Sequence, residues 1–312
     1  MVIVFFGTPE FAVPSLRALI ASRHSVAGVV TQPDRPRGRG QRVSDPPVKQ
    51  AALEHGIPVL QPDRLRDPSF MSAISGWAPD LGVVAAYGKL LPEDLLQLAT
   101  HGMINVHASL LPKYRGAAPV HRAVIAGESE TGVTIMRMVK ALDAGGMFAK
   151  VTRSIGPDET SADVERDLAA LGATLLMDVV EAIASGSAHE EPQDDAQSNY
   201  AARITREDGL IDWQLPASAV HNRVRGLYPW PHAFTYLDGA RLIVLKSRVE
   251  AAATTGPPGT IVQVSPEGID VATGQGGRLR LLEIQPEGRR AMAVRDFIAG
   301  HPLAAGSRLV AQ

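Results

Sequence analysis

Residues 2–9 read Val-Ile-Val-Phe-Phe-Gly-Thr-Pro, an unbroken apolar run that ends in a glycine-containing turn. Continuous apolar runs are typical of strands buried on both faces of a parallel sheet, whereas half-exposed strands alternate apolar with polar residues. The same pattern recurs at Val26–Val30, Leu81–Ala86 and Ile104–Val106, with helix-length stretches between the runs. Strands that alternate with helices predict an α/β domain with a mostly parallel sheet.

The clearest helix is predicted after Asp158. Thr160 and Asp163 have the spacing of a capping box, in which two side chains satisfy the free amide groups at a helix start. Apolar residues then recur at helical spacing and predict one buried stripe, formed by Val164, Leu168, Leu171, Leu175 and Val179.

The pattern changes after residue 189. Residues 190–208 are polar and partly acidic without periodicity, which predicts a linker. Short alternating runs follow, separated by turn signals such as Asp238-Gly239. The predicted strands are Ala233–Leu237, Arg241–Leu245, Gly259–Val264, Gly268–Ala272 and Arg278–Ile284. We therefore expect an α/β domain over residues 1–189 and a small antiparallel barrel or sandwich over residues 209–312.

Composition excludes several classes of site. The 312 residues include no cysteine, and 31 Lys and Arg oppose 33 Asp and Glu for a formal charge of −2. Disulfides, thiolate metal sites and cysteine nucleophiles are thereby excluded, and no global positive field attracts nucleic acid. The first apolar run is too short for a signal peptide, and no run reaches the roughly 18 apolar residues of a membrane span. We expect a cytoplasmic enzyme.

Two common kinds of site are disfavoured by motif. Gly7-Thr8-Pro9 opens a helix after the first strand, but it is not the G-x-G-x-x-G turn of dinucleotide-binding proteins. The nine histidines show no H-E-x-x-H spacing, and Ser109 does not lie in a G-x-S-x-G turn. We therefore expect neither a metal site nor a serine hydrolase, and direct transfer between two bound substrates is the simpler chemistry.

Asn105 and His107 are the strongest catalytic candidates. If Ile104–Val106 is a parallel strand, both side chains lie on one face and emerge at the carboxyl edge, where open α/β sheets bind ligands. An amide and an imidazole there suit a carbonyl reaction, because both can donate to a developing oxyanion and the imidazole can move a proton. The alternative is a turn-capping asparagine beside a histidine that is satisfied under a loop.

Asp143 is the third candidate. It lies in Leu142-Asp143-Ala144-Gly145, which by itself is typical of an ordinary turn. If the carboxylate faces His107, it could orient the imidazole, stabilise its protonated form or take a proton through a water molecule.

These residues together resemble the formyltransferases that use 10-formyltetrahydrofolate. The resemblance is carried by Asn105-Val-His107, by Ser109-Leu-Leu-Pro112 and by Asp143-Ala-Gly145, and it extends over essentially the whole chain. It implies a Rossmann-like catalytic domain, a C-terminal OB-like barrel and the catalytic trio Asn105, His107 and Asp143, with 10-formyltetrahydrofolate as co-substrate and no metal. The implied folate-binding residues are Ser109, Leu110, Leu111, Pro112, Tyr87 and Gly88.

A basic loop indicates which molecule accepts the formyl group. Arg35, Arg37, Arg39 and Arg42, with Lys49, oppose only Asp34 and Asp45 in residues 33–50, so the loop could order on a phosphate backbone. A merely solvated loop is the alternative. The loop resembles that of the family members that act on charged tRNA, which implies formyl transfer to the α-amino group of initiator methionyl-tRNA by a monomer.

Some residues depart from the pattern of the tRNA-acting members. The departures are Val139-Lys140-Ala141-Leu142 and Ala144, and the segments Met138-Val-Lys140 and Asp143-Ala-Gly145 are similar to those of formyltransferases that act on an amino-sugar nucleotide. Two alternatives therefore stay open at this point: a folate-dependent formyltransferase with an amino-sugar nucleotide as acceptor, and an RNA-binding protein without catalytic activity.

Overall fold

The structure is a computed structural model that describes residues 1–37 and 42–310. The chain divides into two compact units. The first comprises Met1–Pro119, Glu130–Arg153 and Glu165–Ala201; the second comprises Val120–Ser129, Ser154–Val164 and Ala202–Gln312. Of the predicted linker, residues 190–201 thus cluster with the first unit and residues 202–208 with the second.

The first unit is built on a sheet of seven strands. The strands up to residue 201 are β1 (Val2–Gly7), β2 (Ser25–Val30), β3 (Arg35–Arg37), β4 (Arg42–Ser44), β5 (Val59–Leu60), β6 (Leu81–Ala85), β7 (Met103–His107), β8 (Arg115–Gly116), β9 (Glu130–Arg137), β10 (Met147–Ser154) and β11 (Tyr200–Ala201). The order in the sheet is β10-β9-β7-β6-β1-β2-β5. β1 pairs in parallel with β2 and β6, β2 with β5, and β6 with β7, whereas β9 runs antiparallel to β7. The predicted α/β class with a mostly parallel sheet is confirmed.

Helices alternate with these strands along the chain. They are α1 (Val13–Ile20), α2 (Pro47–Glu54), α3 (Pro68–Gly76), α4 (Glu93–Leu96), α5 (Pro119–Ala126) and α6 (Ser161–Ser185), with 3-10 turns at Glu10–Ala12, Asp195–Gln197 and Glu207–Gly209. The capping box that precedes α6 is confirmed: the Asp163 carboxylate accepts from Thr160 N at 3.1 Å, and Asp163 N donates to the Thr160 hydroxyl at 3.3 Å.

The buried face of α6 differs in part from the predicted stripe. Val164, Leu168 and Val179 are buried as expected, but Leu171 and Leu175 are only half-buried and Leu176 is fully buried instead. With 3.6 residues per turn, the buried face passes from Leu168 through Gly172 to Leu176, because Gly172 allows close approach to Val106 and Val133. By length and mean hydropathy α6 could cross a membrane, contrary to the expectation from the sequence, but 44% of the apolar window is buried inside the protein.

The second unit contains an antiparallel sheet. Its strands are β12 (Ala233–Leu237), β13 (Ala240–Glu250), β14 (Ile261–Ser265), β15 (Gly268–Ala272), β16 (Arg278–Pro286), β17 (Met292–Ala293) and β18 (Leu309–Val310), and its helices are α7 (Ala217–Gly226) and α8 (Val294–Gly300). The sheet order is β14-β15-β16-β13-β12-β18, and β17 pairs with β16. The predicted antiparallel class is confirmed. Buried Asp270 binds Arg280 at 2.6 Å and also pairs with Arg278.

Candidate active site

Asn105 and His107 lie on one face of β7. This strand is held on one side by β6, where Asn105 is level with Val84, and on the other by β9, where His107 is level with Thr134. Successive side chains of a strand point to opposite faces, so residues two apart share a face. His107 is buried and Asn105 is half-buried. Asn105 and His107 therefore share one face near the end of this strand.

One hydrogen bond decides the tautomer of His107. Its Nε2 lies 3.0 Å from the carbonyl oxygen of Tyr114. A carbonyl oxygen only accepts, so Nε2 carries the proton and donates it. In the neutral imidazole Nδ1 is therefore an unprotonated acceptor, and a second N–H exists only in the imidazolium.

Asp143 lies on the Nδ1 side of that ring. Its Oδ2 is 3.8 Å from Nδ1 of His107 and accepts from the backbone N–H of Gly116 at 2.8 Å. The two side chains are 6% and 12% exposed, so water screens their charges only partly. Asp143 adopts a left-handed φ of 48°, an unusual conformation for a residue other than glycine. The structure thus brings together two residues that are well separated in the sequence.

Gly116 has to be a glycine at this position. Its φ is 119°, and a Cβ there would approach Tyr200 to 2.7 Å and the carbonyl oxygen of Ala201 to 2.8 Å. The close approach arises because β8, which contains Gly116, pairs in parallel with β11. The amide that binds Asp143 is therefore held by the pairing of these two short strands.

The Ser109–Pro112 turn has its polar groups satisfied internally. The Ser109 hydroxyl donates to the carbonyl of Lys113 at 2.7 Å, and the Thr134 hydroxyl donates to the Ser109 carbonyl at 2.7 Å. Leu111 is buried against Met136 and Met147. Leu110 and Pro112 are half-buried, and Leu110 packs over Gly132. These hydrogen bonds and apolar contacts hold the turn in place next to His107.

The structure places the predicted pocket residues Tyr87 and Gly88 differently from each other. The Tyr87 ring lies in the core against Phe6, at a centroid distance of 5.4 Å, and burial raises the pKa of its hydroxyl to about 12. Its carbonyl accepts from Thr8 at 3.2 Å. Gly88 has a left-handed φ of 87°, and a Cβ there would meet open space. Tyr87 therefore turns its backbone, and not its ring, toward the end of the strands.

Large apolar side chains are exposed in the two loops next to these residues. Leu90 is 77% exposed, and Val139 and Leu142 are 42% and 44% exposed in the loop that leads to Asp143. Lys140 Nζ lies 3.8 Å from a carboxylate oxygen of Glu93, which brings this loop near the start of α4. These three side chains are therefore available for contact with a ligand or a partner.

Comparison with known proteins identifies the family. Residues 1–180 match the formyl transferase family, and residues 203–302 match the family described as formyl transferase, C-terminal domain. The chain belongs to the formyl transferase family. The resemblance inferred from the sequence motifs is confirmed.

Relatives within this family match the chain over its whole length. The methionyl-tRNA formyltransferase of Methylococcus capsulatus is 48% identical over 309 residues, 99% of each chain. That of Bacillus subtilis is 47% identical, covering 98% of this chain and 97% of its own. Among solved structures, the sugar 3N-formyl transferase WlaRD, in the presence of dTDP and 5-N-formyl-THF, has a TM-score of 0.69 at 16% identity and covers 93% of this chain and 99% of its own. This last similarity shows a shared fold.

The basic loop of this family member forms a short antiparallel ribbon. Arg35–Arg37 pairs with Arg42–Ser44, so the backbones of Arg35, Arg37 and Arg42 lie in the ribbon, while Arg39 lies outside the described residues.

Lys49 pairs with two carboxylates, whereas the sequence groups it with the charges that could contact phosphates. Its ammonium group lies 2.6 Å from Asp34 and 2.8 Å from Asp45, which precede the first strand and follow the second strand of the ribbon. The hydrogen bonds that Lys49 donates, chiefly the one to Asp34, raise the pKa of Lys49 above its usual value. Lys49 therefore links the two chain segments at the open end of the ribbon.

Two participants in the site are missed by reasoning from the sequence. The carbonyl of Tyr114 fixes the His107 tautomer, and the amide of Gly116 binds Asp143. Every residue has a carbonyl and nearly every residue an amide, so residue type carries no signal for such roles. The one available signal is Gly116 itself, in a short segment that follows Ser109–Pro112. Among the described residues, no group of three or more potential metal ligands comes together.

Proposed function

We propose that this chain transfers the formyl group of 10-formyltetrahydrofolate to the α-amino group of initiator methionyl-tRNA, giving N-formylmethionyl-tRNA and tetrahydrofolate. The observation that carries the proposal is the similarity of 47–48% over both units to methionyl-tRNA formyltransferases. The structural similarity to a sugar formyl transferase, at 16% identity, supports the fold but not that acceptor.

The residues present fit a folate at the ends of β6 and β7. Open space beside Gly88 and the exposed side chains of Leu90 and Leu142 offer the apolar contact that a flat ring system needs. The Ser109–Pro112 turn contributes its shape and backbone, because the Ser109 hydroxyl is already donated to Lys113. Tyr87 contributes through its carbonyl rather than its buried ring.

The Nδ1 atom of His107 carries the proton transfer in this proposal. When bound, 10-formyltetrahydrofolate supplies the electrophilic formyl carbon and departs as tetrahydrofolate with the proton that the amine loses. Because Nε2–H is donated to Tyr114, the neutral imidazole offers Nδ1 as the acceptor of that proton. The imidazolium formed is stabilised by the Asp143 carboxylate at 3.8 Å.

Asn105 stabilises the developing oxyanion in this proposal. It shares the face of β7 with His107, and its side-chain amide is a donor whatever the protonation state of the imidazole. His107 donates to the oxyanion only as the imidazolium. The α-amino group of an aminoacyl ester loses its proton more readily than a model α-amino group, whose pKa is about 7.7, so the attacking amine is available in its neutral form near neutral pH and needs no strong base.

We also propose that the basic ribbon and the second unit bind the tRNA. Arg35, Arg37, Arg39 and Arg42 would contact phosphates, and the antiparallel sheet of the second unit would form an OB-like barrel that extends this contact. The whole-length similarity to methionyl-tRNA formyltransferases supports both assignments. The domain limits 1–189, 190–208 and 209–312, a monomeric state and a cytoplasmic location remain predictions.

A direct assay tests the proposed function. The purified protein is incubated with 10-formyltetrahydrofolate and, in parallel, with initiator methionyl-tRNA, elongator methionyl-tRNA or a dTDP-linked amino sugar, and formylated products are quantified by mass spectrometry. We expect formylation of initiator methionyl-tRNA. Formylation of the amino sugar alone would establish the rival enzyme, and tRNA binding without any formylated product would establish the non-catalytic alternative.

A further inference from the structure

The segment that follows α6 lies across the loops of the candidate site. We define the strap as residues 190–201. Its first residues bind the strand ends that flank the loop containing Asp143: Glu190 pairs with Arg137, the last residue of β9, at 2.6 Å, and Glu191 exchanges two backbone hydrogen bonds with Met147, the first residue of β10, at 2.8 and 2.9 Å. The strap therefore packs as a fixed part of the first unit, to which these residues belong.

Gln193 is the strap residue that contacts the Asp143 loop most directly. Its side-chain Nε2 donates to the backbone carbonyls of Asp143 and Gly145, both at 2.8 Å. Its Oε1 accepts from the Arg115 guanidinium at 2.8 and 3.0 Å. Because a guanidinium only donates and a carbonyl only accepts, both ends of the amide are assigned without ambiguity.

The loop that Gln193 holds has little freedom and an unusual conformation. Asp143 has a left-handed φ, and a Cβ at Gly145 would overlap the carbonyl of Arg137 at 1.9 Å. An unusual backbone conformation persists only where its surroundings stabilise it. The two hydrogen bonds from Gln193 supply that stabilisation on either side of Ala144, next to the carboxylate that faces His107.

The far end of the strap contacts Tyr114 and Arg115, which directly precede Gly116. The backbone amide of Arg115 donates to the Asn199 carbonyl at 3.0 Å, and the amide of Tyr114 donates to the Asn199 side chain. Tyr114 is the residue whose carbonyl accepts from His107. One segment thus fixes both backbone supports of the His107–Asp143 pair.

We propose that Gln193 is a positioning residue that sets the placement of Asp143 against His107. This inference rests on the proposed function, since it assumes that the pair performs the transfer. Gln193 acts through the backbone of Asp143 and not on substrate. Well-oriented groups lose about a hundredfold in rate for a displacement of about 1 Å, so loss of its two donors should lower turnover by about 30-fold to 100-fold.

The test uses Gln193→Glu, with Gln197→Glu as the matched control. The glutamate side chain has the same shape and still accepts from Arg115, but it replaces the donating amide with an oxygen that faces two carbonyls. Gln197 lies in the same segment, is exposed and donates only to Asp194 at 2.8 Å among the described residues. We expect Gln193→Glu to lower kcat by about 30-fold to 100-fold with both KM values within about threefold of wild type, and Gln197→Glu to match wild type.

A double-mutant cycle separates positioning from general stabilisation. In an Asp143→Asn background, Gln193→Glu should cost less than about threefold in kcat, because the group it positions is already disabled. The proposal is overturned if Gln193→Glu keeps wild-type kcat, if its cost is the same in both backgrounds, or if it acts by raising both KM values or by unfolding the protein. Absence of formylation by wild type would instead refute the proposed function.

Discussion

Replacing Asp143 with asparagine removes its charge while nearly preserving its shape. The side-chain oxygen of the substituted asparagine can still accept the hydrogen bond that Gly116 N donates to Oδ2 at 2.8 Å, so we expect the loop to keep its conformation. What is lost is the attraction between a carboxylate and an imidazolium across 3.8 Å. At an effective dielectric constant of about 20, this attraction is about 4 kcal/mol.

That energy sets the size of the expected effect. Each 1.36 kcal/mol of transition-state stabilisation is about tenfold in rate, so full loss of the attraction corresponds to about a thousandfold. Because the Asp143 side chain is 12% exposed, some screening remains and we expect a decrease in kcat of about 100-fold to 1000-fold.

The assay is the initial rate of formylation at saturating folate and methionyl-tRNA, together with the Kd for tRNA from filter binding. Asp178→Asn, an exposed substitution on α6, is the control for the loss of one negative charge and should retain wild-type kcat. If Asp143→Asn keeps more than about a third of wild-type kcat, the charge of Asp143 does not act on the transition state and the proposed role is refuted.

Two further predictions concern tRNA binding and stability. Replacing Arg37, Arg39 and Arg42 together by alanine should weaken tRNA binding and reduce the slope of log Kd against log salt by about 2, measured by filter binding; an unchanged slope would show that the ribbon does not contact phosphates. Burial alone would raise the pKa of Asp270, but hydrogen bonds from its two arginines outweigh it and hold the pKa below its usual value. Asp270 therefore stabilises the second unit above about pH 4, and this stability is lost as the pH falls through the lower folded-state pKa. Asp270→Asn should lower the free energy of unfolding by about 3 kcal/mol at pH 7. In thermal melts from about pH 2.5 to 7, the melting temperature of this variant should also depend less on pH than that of wild type. A melting profile equal to that of wild type would contradict this role.

The fold was predictable where local pattern and burial agree. The apolar runs at Val2–Phe6 and Val26–Val30 are strands because a parallel sheet covered on both faces requires continuous apolar sequence. Thr160 and Asp163 predict a helix start because their hydrogen bonds are local in the chain. Leu171 and Leu175 lie at the edge of the buried face of α6, which spacing alone cannot predict, because only the facing strands decide that Gly172 marks the line of closest approach.

The grouping of the candidate catalytic residues was predictable from the sequence, but the backbone groups that support them were not. Alternation along β7 groups Asn105 with His107, and the family resemblance adds Asp143. The role of Gln193 depends on tertiary hydrogen bonds to residues about 50 positions away. The sequence shows only its polar, aperiodic surroundings, and these are typical of a linker. Sequence proximity groups Lys49 with the arginines of the basic loop, because it cannot show that Lys49 pairs with Asp34 and Asp45.

Single-turnover formylation by His107→Ala tests the central claim most directly, with the exposed His189→Ala variant as its control. Saturating enzyme is mixed with folate and methionyl-tRNA, and N-formylmethionyl-tRNA is followed by rapid quench. If Nδ1 of His107 moves the proton beside Asp143, the rate of product formation falls by about 100-fold or more while the Kd for tRNA stays within about threefold. A wild-type single-turnover rate in His107→Ala would contradict the account.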